Sequence, residues 1–166
     1  MPFPQPIRKL FVLIHILGSI GWIGAVAAFL ALAVTGVRSS DLTIVRSVYI
    51  AMEPVTWWII VPLAFVSFFS GLVLSLGTKW GLLRHYWVVF KLLINLVSLP
   101  ILLLHTDIIH RVAAAAVDNG LSAGDLYQDR LQLVLVSAAA LVALVIAGVL
   151  SVYKPQGVLA LNHKLK

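Results

Sequence analysis

Four long apolar runs dominate the sequence and decide what the chain can fold into. They lie within about 8–37, 42–77, 82–112 and 123–153. About 20 apolar residues cross a bilayer core, so each run is long enough to span. Of the 166 residues, 61% are apolar and 11% charged, against about 45–50% and about 25% in soluble domains. The sequence therefore predicts an all-α integral membrane four-helix bundle, one transmembrane domain with a short C-terminal tail over 154–166.

Prolines and polar residues predict the details of these helices. Pro54 and Pro62 are expected to bend the second helix, and Pro100 the third, because proline removes a backbone donor and crowds the preceding turn. Ser122 and Asp125 have the spacing of a capping box that opens the fourth helix. With so little chain outside the membrane, we expect no nucleic-acid partner. The expected surroundings are the lipid bilayer and, beyond it, a second copy or a membrane partner subunit.

The charges are distributed unevenly between the two sides of the predicted bundle. The side of both termini and the second loop carries eight cations and no acid: Arg8, Lys9, Lys79, Arg84, Lys91, Lys154, Lys164 and Lys166. The other side carries four cations and all six acids: Arg38, Arg46, Arg111, Arg130, Asp41, Glu53, Asp107, Asp118, Asp125 and Asp129. By the positive-inside rule, both termini are predicted to be cytoplasmic.

The third predicted helix has one polar stripe on an otherwise apolar surface. At 100° per residue its members fall within about ±40° of one another; they are Arg84, Trp87, Lys91, Asn95, Ser98 and His105. Polar groups facing lipid would lack partners, so the stripe is expected to face the bundle interior. From Lys91 to His105 it climbs about 21 Å along the helix.

The first predicted helix carries a matching face. His15, Gly18, Trp22, Ala25 and Phe29 share it, and Gly18 beside His15 is expected to leave space for a flat or bulky group. His15 lies seven residues beyond Arg8, and Lys91 seven beyond Arg84, so each is about 10 Å past an arginine on the same side. The two side chains are predicted to be level and to hold a cofactor or a proton between them.

Each of these residues also has a purely structural interpretation. His15 would then bond to a backbone carbonyl or a serine, and Lys91 would extend to the interface. Trp22 and Trp87 would be packing residues and Trp57, Trp58 and Trp80 an interfacial belt. Small residues on the second and fourth helices would allow close packing; they are Ser67, Gly71, Ser75, Ser137, Gly148 and Ser151.

A weaker group of residues is predicted near the other end of the bundle. The chain has no cysteine, so a metal there would need imidazole and carboxylate ligands, and Glu53, His105 and His110 are the candidates. His105 and His110 are about 140° apart on a helix, whereas helical neighbours are three or four residues apart. Asp107 with His110 or Arg111 is the alternative, as an ion pair at the helix end.

The pattern His15-x6-Trp22-x-Gly24, followed by Trp87-x3-Lys91, resembles a known group of proteins. It is similar to small four-helix bacterial integral membrane proteins of unknown function, related in pattern to HemJ-type protoporphyrinogen oxidases and to the CopD copper-resistance membrane domain. The resemblance covers most of the chain. It implies a bacterial cytoplasmic membrane location and roles in haem b binding for His15 and Lys91. HemJ-type enzymes usually carry a further His and Arg-containing stretch after the first Trp, whereas Ala25 to Thr35 are apolar or small here.

Three functions remain open from the sequence. The first is a membrane haem b or haem-like redox protein, hence an oxidoreductase, with His15 ligating the iron and Lys91 as opposite ligand or propionate partner. Gly18, Trp22, Trp87 and Asn95 would complete its cofactor-binding site, and a quinol or porphyrinogen would be the electron donor. The second is a copper, zinc or small-solute transport module that uses the stripe as a path. The third is a non-catalytic partner subunit.

Overall fold

A computed structural model describes residues 3–77, 85–118 and 126–153. Within them the chain is helical, and four helices are long and apolar enough to cross a membrane. They are α1 (Gln5–Arg38), α2 (Leu42–Gly77), α3 (Tyr86–Val117) and α4 (Tyr127–Tyr153). The predicted all-α membrane bundle of four helices is confirmed. We call the end where α1 begins and α4 finishes the terminal end, and the opposite one the far end.

The ends of α1 and the start of α2 follow from local chemistry. Pro4 precedes α1 and a proline lies in its first turn, where a missing N–H costs nothing. Asp41 precedes α2, and its carboxylate accepts a hydrogen bond from the Thr43 N–H at 2.8 Å. An aspartate at this position satisfies one of the four free donors of a helix start.

The middle of α2 contains a π-helical turn over Thr56–Ile60, between the α-helical segments Leu42–Val55 and Val61–Gly77. The Val61 N–H donates to the Thr56 carbonyl, five residues back. Pro62 cannot donate to the carbonyl four residues before it, and its ring crowds that carbonyl, which favours a wider turn here. The sequence predicted that Pro54 and Pro62 bend this helix, and the structure places a π turn between the two prolines.

The end of α3 differs from the one expected, whereas α4 ends at Tyr153 as predicted and its expected start at 123 is outside the described residues. α3 continues to Val117, five residues past the predicted end, because Ala113–Ala116 are strong helix formers. It also runs through Pro100 as one helix. The expected start of the third helix at 82, the capping box of Ser122 and Asp125, and the tail over 154–166 lie outside the described residues.

The four helices form a ring in which each packs against two neighbours. α1 packs on α2 and α4, and α3 packs on α2 and α4, while α1 and α3 lie diagonally opposite. α3 packs more closely on Leu42–Val55 of α2 than on Val61–Gly77. The bundle is therefore tightly closed at its far end and more loosely closed beside α3 at its terminal end.

A buried arginine ties three helices together at the far end. Arg130 of α4 is only 4% exposed. Its Nε donates to the Tyr49 hydroxyl of α2 at 3.1 Å, and its Nη2 donates to the Gly36 carbonyl of α1. The guanidinium carbon also lies 5.3 Å from the centre of the Tyr49 ring. We call Gly36, Tyr49 and Arg130 the far-end clamp.

The clamp predicts that Gly36 tolerates no side chain. A Cβ at Gly36 would lie 2.5 Å from Tyr49 Cζ and 2.6 Å from its hydroxyl, and Tyr49 is 1% exposed and has no room to move. We expect Gly36→Ala to destabilise the protein by about 1–3 kcal/mol, measured by thermal unfolding in detergent.

Gly24→Ala is the matched control, because Gly24 is also on α1 and its added Cβ would meet nothing within 4 Å. It should leave the melting temperature unchanged or raise it, since alanine is the better helix former. Equal melting temperatures for the two variants would contradict the close contact between Gly36 and Tyr49.

Candidate functional site

His15 is held by α2 through one ring nitrogen. Its Nδ1 lies 3.0 Å from the Ser67 carbonyl oxygen and 3.0 Å from the Ser70 hydroxyl. A neighbouring pair, Ser19 and Ser67, joins the same two helices through their hydroxyls at 2.8 Å. We call His15, Ser67 and Ser70 the histidine cluster. It gives the partly buried imidazole a fixed position between α1 and α2.

The partners of Nδ1 determine which nitrogen carries the proton. A carbonyl oxygen only accepts, so Nδ1 must donate to Ser67. The Ser70 hydroxyl gives its own proton to the Val66 carbonyl at 2.5 Å, so it too accepts from Nδ1. A neutral His15 therefore has its proton on Nδ1 and a free lone pair on Nε2. Nε2 has no hydrogen-bond partner within the described part of the chain.

Two glycines shape the surroundings of this ring. A Cβ at Gly71 would lie 2.9 Å from His15 Cε1, so the bare backbone of α2 makes room for the imidazole. At Gly18 the outcome differs from expectation. The space beside it is filled by Val66, whose Cγ1 would be 3.0 Å from an added Cβ. Gly18 thus permits close approach of α1 and α2 and leaves no slot there for a flat group.

Lys91 of α3 is anchored to α4. Its ammonium donates to the Ser151 hydroxyl at 2.5 Å and lies 5.9 Å from the centre of the Trp87 ring. Lys91 is partly buried. His15 bonds to α2 and Lys91 bonds to α4, so each side chain is tied to a different neighbouring helix. That the two side chains hold a group between them stays a prediction.

Asn95 lies one helical turn beyond Lys91 on the same face of α3. Its amide Nδ2 donates to the Lys91 carbonyl at 2.8 Å. Its Oδ1 is buried and has no hydrogen-bond partner among the described residues. Leaving a buried acceptor unpaired costs about 1–3 kcal/mol, so Asn95 marks a position where a ligand or a water molecule would be stabilised.

An apolar cavity of about 320 Å³ lies farther along the same two faces. Trp22 of α1 and Ser98 of α3 both line it. Trp22 is seven residues past His15, and Ser98 is seven residues past Lys91, as expected if His15 and Lys91 are level. Its polar lining residues are Trp22, Thr56, Ser98, His105 and Ser137, and the rest are apolar. Ser98 and His105 of the α3 stripe therefore line the cavity, and Lys91 turns toward α4. The described members of the stripe are only partly buried, and Arg84 is outside the described residues.

The far-end metal candidates are only partly brought together. His110 Nδ1 lies 2.7 Å from Glu53 Oε1, and both side chains are solvent-accessible. His105 bonds elsewhere, with Nδ1 2.8 Å from the Ile101 carbonyl and Nε2 3.2 Å from the Gln132 amide. No group of three possible metal ligands occurs in 3–77, 85–118 and 126–153.

The prediction that Asp107 forms an ion pair with His110 or Arg111 is wrong. Arg111 pairs with Asp129 of α4 at 3.2 Å, and His110 pairs with Glu53 of α2. Both partners lie on neighbouring helices. His110 and Arg111 therefore pair across helices and not with Asp107, three or four residues away on α3.

The tryptophans and small residues take several roles. Trp57 and Trp58 are 48% and 81% exposed, which suits the expected belt, and Trp80 lies outside the described residues. Gly148 is not needed for packing, because a Cβ there would meet nothing within 4 Å.

Some residues of the site were not evident from the sequence. Ser19, Ser70 and Thr56 gave no signal, because a serine or threonine in a membrane helix commonly bonds to its own backbone. Thr56 does so here, donating to the Met52 carbonyl at 2.8 Å. The spacing of Ser67, Gly71 and Ser75 offered one usable signal, a small-residue face at helical periodicity.

Gly71 provides a test of the histidine cluster. We expect Gly71→Ala to lower the melting temperature in detergent by an amount equivalent to about 1–2 kcal/mol, because the new methyl group would press on the His15 ring. Gly148→Ala, which adds the same methyl group in open space, is the control and should be neutral. If Gly71→Ala were also neutral, the imidazole would not lie over this glycine.

Comparisons with protein-family models, with curated proteins and with solved structures find no match for this chain. Its function must therefore be inferred from the histidine cluster, Lys91, Asn95 and the cavity themselves.

Proposed function

We propose that the protein is a membrane-embedded redox protein that binds haem b or a haem-like group through His15. Bound haem would supply one-electron transfer within the bilayer. His15 Nε2 would be the axial ligand of the iron. A hydrophobic donor such as a quinol or porphyrinogen would reach the site from the membrane.

The observation that carries this proposal is the orientation of the His15 ring. Histidines that bind metals commonly donate their second ring N–H to a carbonyl or carboxylate, which fixes the tautomer and the ring plane. His15 does this with the Ser67 carbonyl. The hydrogen bond of His15 is therefore the kind expected of an imidazole bound to iron. The Ser70 hydroxyl is a second acceptor for the same Nδ1 proton.

Lys91 fits the role of a partner for an acidic substituent better than that of a second ligand. Its Nζ is held by the Ser151 hydroxyl and placed over Trp87, which fixes a cation on α3, diagonally opposite the helix that carries His15. A propionate would be such a substituent. The Asn95 amide, with its unpaired oxygen, would accept a hydrogen bond from the bound group or from a water molecule beside it.

The terminal end has the looser packing that a bound group requires. α1 and α3 do not pack against each other, and α3 packs only lightly on Val61–Gly77 of α2. Gly18 and Trp22, by contrast, are already buried by protein contacts. A bound group would therefore find more room beside α3 than between α1 and α2.

The transport and partner-subunit hypotheses have less support. The stripe of α3 is interrupted as a path, because Lys91 is bonded to Ser151 and His105 to Gln132. The described part of the chain also brings no three metal ligands together. A stoichiometric partner in the purified protein, without pigment, would favour the subunit hypothesis.

We also propose that the protein resides in the bacterial cytoplasmic membrane with both termini inside. The charge difference supports this, with eight cations and no acid on the terminal side. Green fluorescent protein fused to the C-terminus should fluoresce, and alkaline phosphatase fused there should be inactive. The reverse result would invert the topology.

The haem proposal predicts an absorption spectrum. Protein expressed with haem available and purified in detergent should show a Soret band, and His15→Ala should lose most of it because the axial ligand is gone. His110→Ala is the control, since His110 lies at the far end with Glu53, and its spectrum should be unchanged.

Melting temperatures of both variants separate loss of the ligand from loss of the fold. A folded wild-type protein that takes up no haem, or a His15→Ala variant with an unaltered Soret band, would contradict the proposal.

A further inference from the structure

The cavity beyond the histidine cluster has a chemistry of its own. Its volume of about 320 Å³ lies in the range of small-molecule sites, about 300–1,000 Å³. A dry cavity of about 150 Å³ in another protein holds benzene. A volume twice as large would suit a molecule of two fused rings.

The lining of the cavity contains no Asp, Glu, Lys or Arg. A charged ligand would therefore be desolvated there without a counter-ion, at a cost of several kcal/mol. Most of the wall is aliphatic or aromatic, with Val26, Phe29 and Leu144 as examples. The occupant should be uncharged and mainly apolar.

The polar residues of the lining differ in whether their polar atoms are already paired. Both ring nitrogens of His105 are paired, with the Ile101 carbonyl and the Gln132 amide. Thr56 and Ser137 give their hydroxyl protons to carbonyls of their own helices, at 2.8 Å and 2.6 Å. Trp22 Nε1–H and the Ser98 hydroxyl, in contrast, have no hydrogen-bond partner in the described ranges of the chain. Both donors belong to residues that line the cavity, so they favour a ligand with an acceptor oxygen.

The cavity also has a route of entry from the membrane. Val97 and Ile101 of α3 line it and are 55% and 40% exposed. Ala139 of α4 lines it and is exposed as well. The gap between α3 and α4 therefore opens toward lipid, where an apolar ligand would be dissolved.

The π turn of α2 forms part of the opposite wall. Thr56 and Ile60, its first and last residues, both line the cavity. A π turn inserts an extra residue and often marks a functional position in a helix. Here it contributes to the shape of the cavity that remains between the packed helices.

From these observations we infer that the cavity binds an uncharged two-ring carbonyl compound from the bilayer, with Trp22 and Ser98 as hydrogen-bond donors to its carbonyl oxygen. This binding site does not depend on His15, so it is independent of the haem proposal. Three features of the cavity select this ligand. The lining contains no Asp, Glu, Lys or Arg, the volume suits two fused rings, and Trp22 and Ser98 each offer a hydrogen-bond donor that has no other partner in the described residues.

The test uses 2-methyl-1,4-naphthoquinone as the probe and 2-methylnaphthalene, which lacks the carbonyls, as its matched control. Binding to protein in lipid nanodiscs is measured by equilibrium dialysis against protein-free nanodiscs. We expect saturable binding of the quinone at one site and at least tenfold weaker binding of the hydrocarbon. Ser98→Ala should weaken quinone binding by roughly three- to tenfold, the effect of one hydrogen bond.

Ala140→Leu should abolish binding by filling the cavity, and its melting temperature should stay equal or rise because a void has been filled. Ala28→Leu, the same change at an exposed α1 position that is not part of the cavity wall, should leave binding intact. His15→Ala should also retain it, whatever the outcome of the haem test. Absence of saturable binding would overturn the inference, as would equal binding of the hydrocarbon combined with no effect of Ser98→Ala, which would indicate a slot for lipid chains.

Discussion

The fixed position of the His15 imidazole is the interaction on which the account of this protein depends. Inside a bilayer there is no water to satisfy a polar side chain, so each must find its partner on its own helix or on a neighbouring one. Nδ1 finds the Ser67 carbonyl and the Ser70 hydroxyl. Because these bonds hold the proton on Nδ1 and fix the ring, Nε2 keeps its lone pair in a fixed direction. The bonds that satisfy the buried ring therefore also make Nε2 a potential metal ligand.

The rest of the bundle follows the same rule at other levels. Lys91 is stabilised by Ser151 on α4, and Arg130 by Tyr49 and the Gly36 carbonyl at the far end. Among the groups that depart from it are Asn95 Oδ1, Trp22 Nε1 and the Ser98 hydroxyl, for which no partner occurs in the parts of the chain that the structure describes. Trp22 and Ser98 line the cavity, and Asn95 lies about one helical turn before Ser98 on α3. Polar atoms without a protein partner are expected here if the protein binds its ligands between the helices, because they are available to hydrogen-bond a ligand.

The four helices could be predicted from the sequence, and so could a shared polar face of α3, since Ser98 and His105 both line the cavity. Hydrophobic length and the 3.6-residue period are properties of single segments, so no knowledge of the packing was needed. What could not be predicted depends on how the helices rotate and approach one another. Val66 fills the space beside Gly18, Gly71 makes room for the imidazole, and Arg111 pairs with Asp129 across helices. Arg130, counted only as a charge of the far side, is a buried clamp for the same reason.

Nitrogen NMR of the His15 ring tests the central claim most directly. In protein carrying ¹⁵N-labelled histidine, the His15 signals are assigned by their absence in His15→Ala, and the protein is studied without added haem at a pH where the ring is neutral. The account predicts a protonated Nδ1 and an unprotonated Nε2, because the Ser67 carbonyl can only accept. A proton on Nε2 and a bare Nδ1 would contradict it, since the ring would then turn no free lone pair toward a bound metal.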